Sequence, residues 1–196
     1  MSNQKFSQQL ETWLSSKGNK TLGQLQTEFG SKSFAVAFIL LMALAALPLP
    51  TGGVTHVLEI IAMLLALELI IGRQQIWLPS WAKHRHLGSI VTKKALPKLI
   101  SVVAWFEKLS RSRISILFLQ PWFLRLTGGL VFIFALAAFV APPFSGLDTL
   151  PGLGVVMIAL GWLFEDSAIL MVGVILGGLG ILLEASLGNA IFHFLR

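Results

Sequence analysis

The chain has 196 residues, of which 55% are hydrophobic and only 12% charged, with a mean hydropathy of +0.80. That is too apolar for an ordinary soluble domain of this length and points to an integral membrane protein. The absence of cysteine excludes disulfides, thiolate metal ligands and cysteine nucleophiles.

Residues 1–30 form a polar segment in which Phe6, Leu10, Trp13 and Leu14 recur at helical spacing. The pattern predicts an amphipathic helix lying on the membrane or on the rest of the protein. No uninterrupted apolar core of a secretory signal is present, so the first hydrophobic segment reads as part of the mature chain. Residues 31–79 read as a first helical hairpin: apolar from Ser33 to Leu47, broken at Pro48, Pro50, Gly52 and Gly53, and apolar again from Val54 to Ile71. Arms of about fifteen to eighteen residues, at 1.5 Å rise, cover roughly 22–27 Å, slightly less than a 30 Å hydrocarbon core. Both a spanning hairpin and a re-entrant one fit this length. Trp77, Pro79 and Trp81 follow at the level where tryptophan anchors helix ends.

Residues 80–121 read as a basic amphipathic connector. Between Arg73 and Arg125 there are ten basic residues against one acid, Glu107, which places this stretch on the cytoplasmic side. No RNA-binding or helix-turn-helix signature accompanies the charge, so its expected partner is an anionic lipid surface and not nucleic acid. Residues 122–196 read as a second hairpin, apolar from Trp122 to Val140, broken at Pro142, Pro143 and Gly146, and apolar again from Leu150 to Phe164. After Glu165 and Asp166 comes a last apolar helix with Gly173, Gly177 and Gly180. The GxxxG spacing of the first two lets helices approach closely in lipid, within one chain or in a homodimer.

Sliding the chain on itself by 93 positions brings Pro50 onto Pro143, Gly53 onto Gly146, and Gly72 and Arg73 onto Glu165 and Asp166. The shared plan is apolar arm, break, apolar arm, polar pair. The expected fold is therefore an all-α, polytopic integral membrane protein, a homodimer whose chains are each built of two hairpin repeats with broken helices, plus interfacial amphipathic helices. Matched breaks in two halves are a pointer to a repeat-built transporter core. The repeat-transporter analogy favours inverted repeats, whereas the positive-inside rule favours parallel ones. Two independent hairpins that both need turns give the same pattern.

Glu59 and Glu68 lie inside an apolar arm, where an ionised carboxylate costs about 2.5–3.5 kcal/mol or more. They must be paired, protonated or wet. Nine residues apart, they fall on opposite faces of one helix, whereas His56 and Glu59, at i and i+3, share a face just after the break. Such a pair holds or passes a proton, helps bind a cation, or simply closes the turn; two residues do not make a metal site. Arg73, Arg125, Asp148, Glu165, Asp166 and Glu184 are charges near arm ends, where interfacial anchoring explains most of them. For Glu165 with Asp166 the sequence suggests an ion pair, Arg73 being the first candidate partner. No GxSxG, Walker loop or HExxH spacing occurs, so neither an enzyme nor a cofactor is implied.

Phe29 and Gly30 ahead of the first arm, the break at Pro48, Leu49, Pro50 and Gly52, and "GRQQIWLP" from Gly72 to Pro79 form an ordered set. Pro142 and Pro143 with "ALGWLFEDS" from Ala159 to Ser167 extend it. In these features the chain, from about residue 22 to about 185, resembles the ExoD family of bacterial exopolysaccharide synthesis proteins. The resemblance implies a multi-pass inner-membrane protein working with exopolysaccharide synthesis or export proteins, and it carries over no catalytic residue. This sequence departs from the family's pattern at His56 and Glu59, where less polar residues are usual, and at Glu68, where glutamine is expected. Taken together, the expected function is support of exopolysaccharide synthesis or export through ion or solute transport by way of a polar intramembrane cavity. The alternative is a scaffold or regulator that transports nothing.

Overall fold

The computed structural model describes residues 5–16, 20–30, 32–47, 53–77, 93, 96–110, 118, 120–142 and 145–195, without the side chains of 22, 25, 53, 54 and 188–195. The break residues Pro48, Pro50, Gly52 and Pro143, the anchor Trp81 and most of the basic connector lie outside the described residues. Among those described there are eight helices and no strand. They are α1 (Phe6–Ser15), α2 (Leu22–Phe29), α3 (Lys32–Met42), α4 (Gly53–Ile71), α5 (Leu96–Leu109), α6 (Pro121–Val140), α7 (Thr149–Phe164) and α8 (Ser167–Leu195).

The predicted N-terminal amphipathic helix is α1, and its apolar stripe meets protein. Phe6, Leu10 and Trp13 are buried, and α1 packs on α5, whose Leu96, Leu99 and Val103 are buried in turn. Burying each such large side chain contributes roughly 1.5–3 kcal/mol. The backbone N–H and the hydroxyl of Ser7 both donate to the carboxylate of Glu107, at 2.9 and 2.5 Å. A capping box between Thr21 and Gln24 starts α2. The rings of Phe6 and Trp13 then meet Phe29 edge-on, at 5.3 and 5.8 Å between centroids.

The four arms predicted around the two breaks are α3, α4, α6 and α7, and they form a ring. α4 packs on α6, α3 on α7, α3 on α4 and α6 on α7. Exchanging α3 with α6 and α4 with α7 leaves this set of neighbours unchanged. The first arm is shorter than expected: regular helix ends at Met42, and the chain goes on in helical turns to Leu47. Leu47 precedes Pro48, and the residue before a proline is driven out of the α region.

Contacts fix the direction of every arm. A side chain at Gly152 would meet Ala45, and Phe34 stacks on Trp162 at 6.2 Å, so α3 and α7 are antiparallel. His56 lies 5.3 Å from Phe139, and Gly72 touches Arg125, so α4 and α6 are antiparallel too. The end of α3, the start of α4, the end of α6 and the start of α7 therefore gather at one end of the ring. The α3–α4 pair and the α6–α7 pair thus run in the same sense. The far ends are capped alike. Gly72 N–H donates to Leu69 C=O and Arg73 N–H to Glu68 C=O; at the equivalent positions Glu165 N–H donates to Trp162 C=O and Asp166 N–H to Gly161 C=O. This cap needs a left-handed residue, supplied by Gly72 at φ 94° and by Glu165 at φ 54°.

α8 returns along the outside, antiparallel to α7. Gly173 rests on Ile158 and Gly154, Gly177 on the Phe134 ring and Gly180 on Pro151. The small residues read as a close-packing face are thus covered within the chain. Facing outward, α4, α6 and α8 expose Val57, Leu64, Ile71, Ile133, Val140, Ile175 and Leu182, while α4 buries the small Ala62 and Ala66. Large apolar residues outside and small ones inside suit helices that pack together in lipid. Among the described residues, two helices are long and apolar enough to cross a membrane: Pro121–Val140 and Ser167–Leu187, with only 33% and 28% of their windows buried. A membrane location accounts for that exposure.

Candidate functional site

The end of the ring where α3 and α6 finish and α4 and α7 begin carries buried Thr55 and Glu59, with His56 and Asp148 half-buried beside them; buried Ser33, Thr127 and Asp166 lie toward the opposite end. α4 starts at Gly53, so Thr55, His56 and Glu59 fall in its first two turns, and the face that carries Glu59 turns inward. Glu59 is fully buried, at 0% exposure, and its Oε2 lies 3.6 Å from His56 Nδ1. The His56 ring is held against Phe139 of α6.

Asp148 precedes α7 and Glu184 lies on α8. The register that seats Gly180 on Pro151 continues four residues along α8 and three back from Pro151, which brings Glu184 toward Asp148. Asp148 stands close enough to repel the charges of Glu59 and Glu184 and to attract His56. Burial raises the Asp148 carboxyl above its ordinary 3.8, against the opposing pull of its own backbone N–H, of His56 and of the Thr149 N–H.

Among the described residues, five buried polar atoms in this region have no hydrogen-bond partner: His56 Nδ1, both oxygens of Glu59, Thr149 Oγ1 and Glu184 Oε1. An unpartnered buried polar group costs roughly 1–3 kcal/mol. Elements that bring several together at such a cost mark a place where charge or a polar guest is handled. Among the described residues no three His, Asp or Glu side chains are placed to hold a metal ion. What the arrangement can do is take up protons or a small cation: one imidazole and three carboxyl groups, largely shielded from water, with acceptors to spare.

The remaining candidates sit at the opposite end. Glu68 Oε2 accepts the Trp77 N–H at 2.6 Å, and the Arg73 guanidinium lies 5.7 Å from the Trp77 ring centroid. Asp166 accepts from Ser110 Oγ at 3.2 Å and from the Ala168 N–H at 2.9 Å, bonds that tie α5 to the start of α8. Within this chain the Arg73 guanidinium lies over Trp77 and, among the described residues, makes no ion pair with Glu165 or Asp166. Arg125 packs over Gly72.

The chain matches the family model "Exopolysaccharide synthesis, ExoD" over residues 6–186. It belongs to the ExoD family. An uncharacterized protein of Synechocystis sp. is 27% identical over 158 residues, which cover 79% of this chain and 72% of that one. No solved structure matches this ExoD protein. Family and fold together connect the chain with exopolysaccharide synthesis and with the membrane.

Reading the ExoD chain as sequence brings out His56 and Glu59 as a pair and Asp148 as a charge beside the second break. It misses Thr149, and it treats Glu184 as an anchor. The available signal was the glycine pattern, because the α7–α8 register it imposes carries Glu184 to Asp148.

Proposed function

We propose that this ExoD-family protein supports exopolysaccharide synthesis from within the membrane by moving protons or another small cation through the His56, Glu59, Asp148 and Glu184 cluster. The observation that carries the reading is Glu59, fully buried beside His56 with both oxygens unpartnered. The family match supports the link to exopolysaccharide. The ring, with its matched caps and its neighbours unchanged by exchange, supports two parallel hairpin repeats meeting around the site. The ion chemistry is proposed for this chain and the exopolysaccharide role for the family. No bond-making chemistry is assigned to the cluster.

Reconstituted proteoliposomes carrying an internal pH dye test the reading. An imposed proton gradient should dissipate faster with the wild type than with empty vesicles, and Glu59→Gln should return the rate to the empty-vesicle level while the protein stays folded. Wild-type vesicles no leakier than empty ones, or a variant as active as the wild type, overturn ion movement. The second reading is then a scaffold, which the exposed Lys93, Lys98 and Lys108 favour as a basic docking surface.

A further inference from the structure

A groove of about 370 Å³ opens between α3, α5 and α7. That volume falls at the low end of the roughly 300–1,000 Å³ of ligand pockets. Its walls are apolar, with Leu40, Ala43 and Leu47 on one side, Val102 opposite and Val156 at the base. Leu47 and Val102 are 44% and 37% exposed, so the apolar surface is open to the surroundings. Lys98 is the one charged residue among those lining the groove. It is exposed, and among the described residues no carboxylate pairs with it.

An apolar trough with one unpaired cation at its edge is complementary to a molecule with a long hydrocarbon chain and a single negative head. For a chain whose outer helical faces are apolar, the molecule of that chemistry in reach is a membrane lipid. We propose that the α3–α5–α7 groove binds one acyl chain of an anionic glycerophospholipid, with the lipid phosphate on Lys98. A flexible lysine suits such a lipid, because its four-carbon stem lies along the apolar wall while its ammonium stays at headgroup level. The docked lipid would hold α5, and α1 upon it, against the ring, to which α5 otherwise makes few contacts. This inference is independent of ion movement at the polar cluster.

Native mass spectrometry of the protein extracted from vesicles of equimolar phosphatidylglycerol and phosphatidylcholine tests it. The wild type should retain one phosphatidylglycerol in preference to phosphatidylcholine. Lys98→Gln should reduce that preference about fivefold, the ratio expected for removing one lipid-facing basic charge. Ala43→Trp, at an exposed position on the groove wall, should abolish retention of either lipid without changing the circular dichroism, and Val102→Trp does the same from the facing wall should the first variant misfold. The proposal is overturned by a wild type that retains no lipid or both equally, or by tryptophan variants that retain as much as the wild type. It is equally overturned if the wild type is a dimer that these variants turn into monomers, because a second copy then covers the groove.

Discussion

At the scale of single residues, the polar cluster sets four titratable groups against a fold that offers them few partners. Asp148 shows the consequence for stability. Burial raises its carboxyl above 3.8, so between that value and its folded value the folded state holds more proton than the unfolded state. Stability then falls as the pH rises through this window and levels off above it, where both states are ionised. In detergent, the thermal midpoint of the wild type should decline over this range, and Asp148→Asn should flatten the decline; an equally steep decline in the variant would remove Asp148 as its source. The His56–Glu59 pair could be read from sequence because both residues sit on one helix, three apart. Glu184 could not, because 36 positions separate it from Asp148 and only the α7–α8 packing closes that distance.

Among the helices, close approach is governed by glycines whose surroundings differ sharply. Gly177 and Gly178 are neighbours in α8, yet a methyl group at Gly177 would overlap the Phe134 ring, whereas one at Gly178 meets nothing within 4 Å. Gly177→Ala should therefore destabilise the protein by about 1–3 kcal/mol through overpacking. Gly178→Ala, on an open face, should be neutral or stabilising by up to about 1 kcal/mol through helix propensity. Denaturation of both variants in mixed micelles measures the contrast, and equal effects would contradict the register that seats Gly177 on α6. Periodicity made α1 legible as a helix, long apolar runs did so for α4, α6, α7 and α8, and spacing made the α8 glycines legible as a packing face. Which partner that face meets was not, since a neighbouring arm and a second chain offer the same small-residue groove. The early end of α3 was partly legible, since Pro48 forbids the helix to continue.

For the molecule as a whole, the placement of the breaks decides the topology. Ala45 with Gly152 and His56 with Phe139 put both breaks at one end, so Leu47→Cys and Ser145→Cys should label from the same side of sealed vesicles. Gln120→Cys, ahead of α6, should label from the opposite side; labelling of Leu47→Cys and Ser145→Cys from opposite sides would overturn the parallel arrangement. This chain contains no cysteine of its own, so each label reports one site. The sequence by itself pointed to the membrane and determined the helical content, because hydropathy and helix propensity act through the local backbone and solvent. Only the tertiary structure decided that the hairpins run the same way, that α8 packs Gly173, Gly177 and Gly180 inside the chain, and that separate segments bring Asp148 and Glu184 to the His56–Glu59 pair. Those outcomes depend on which helix faces pack together, and a strongly apolar sequence leaves that choice open because nearly every face is acceptable to lipid.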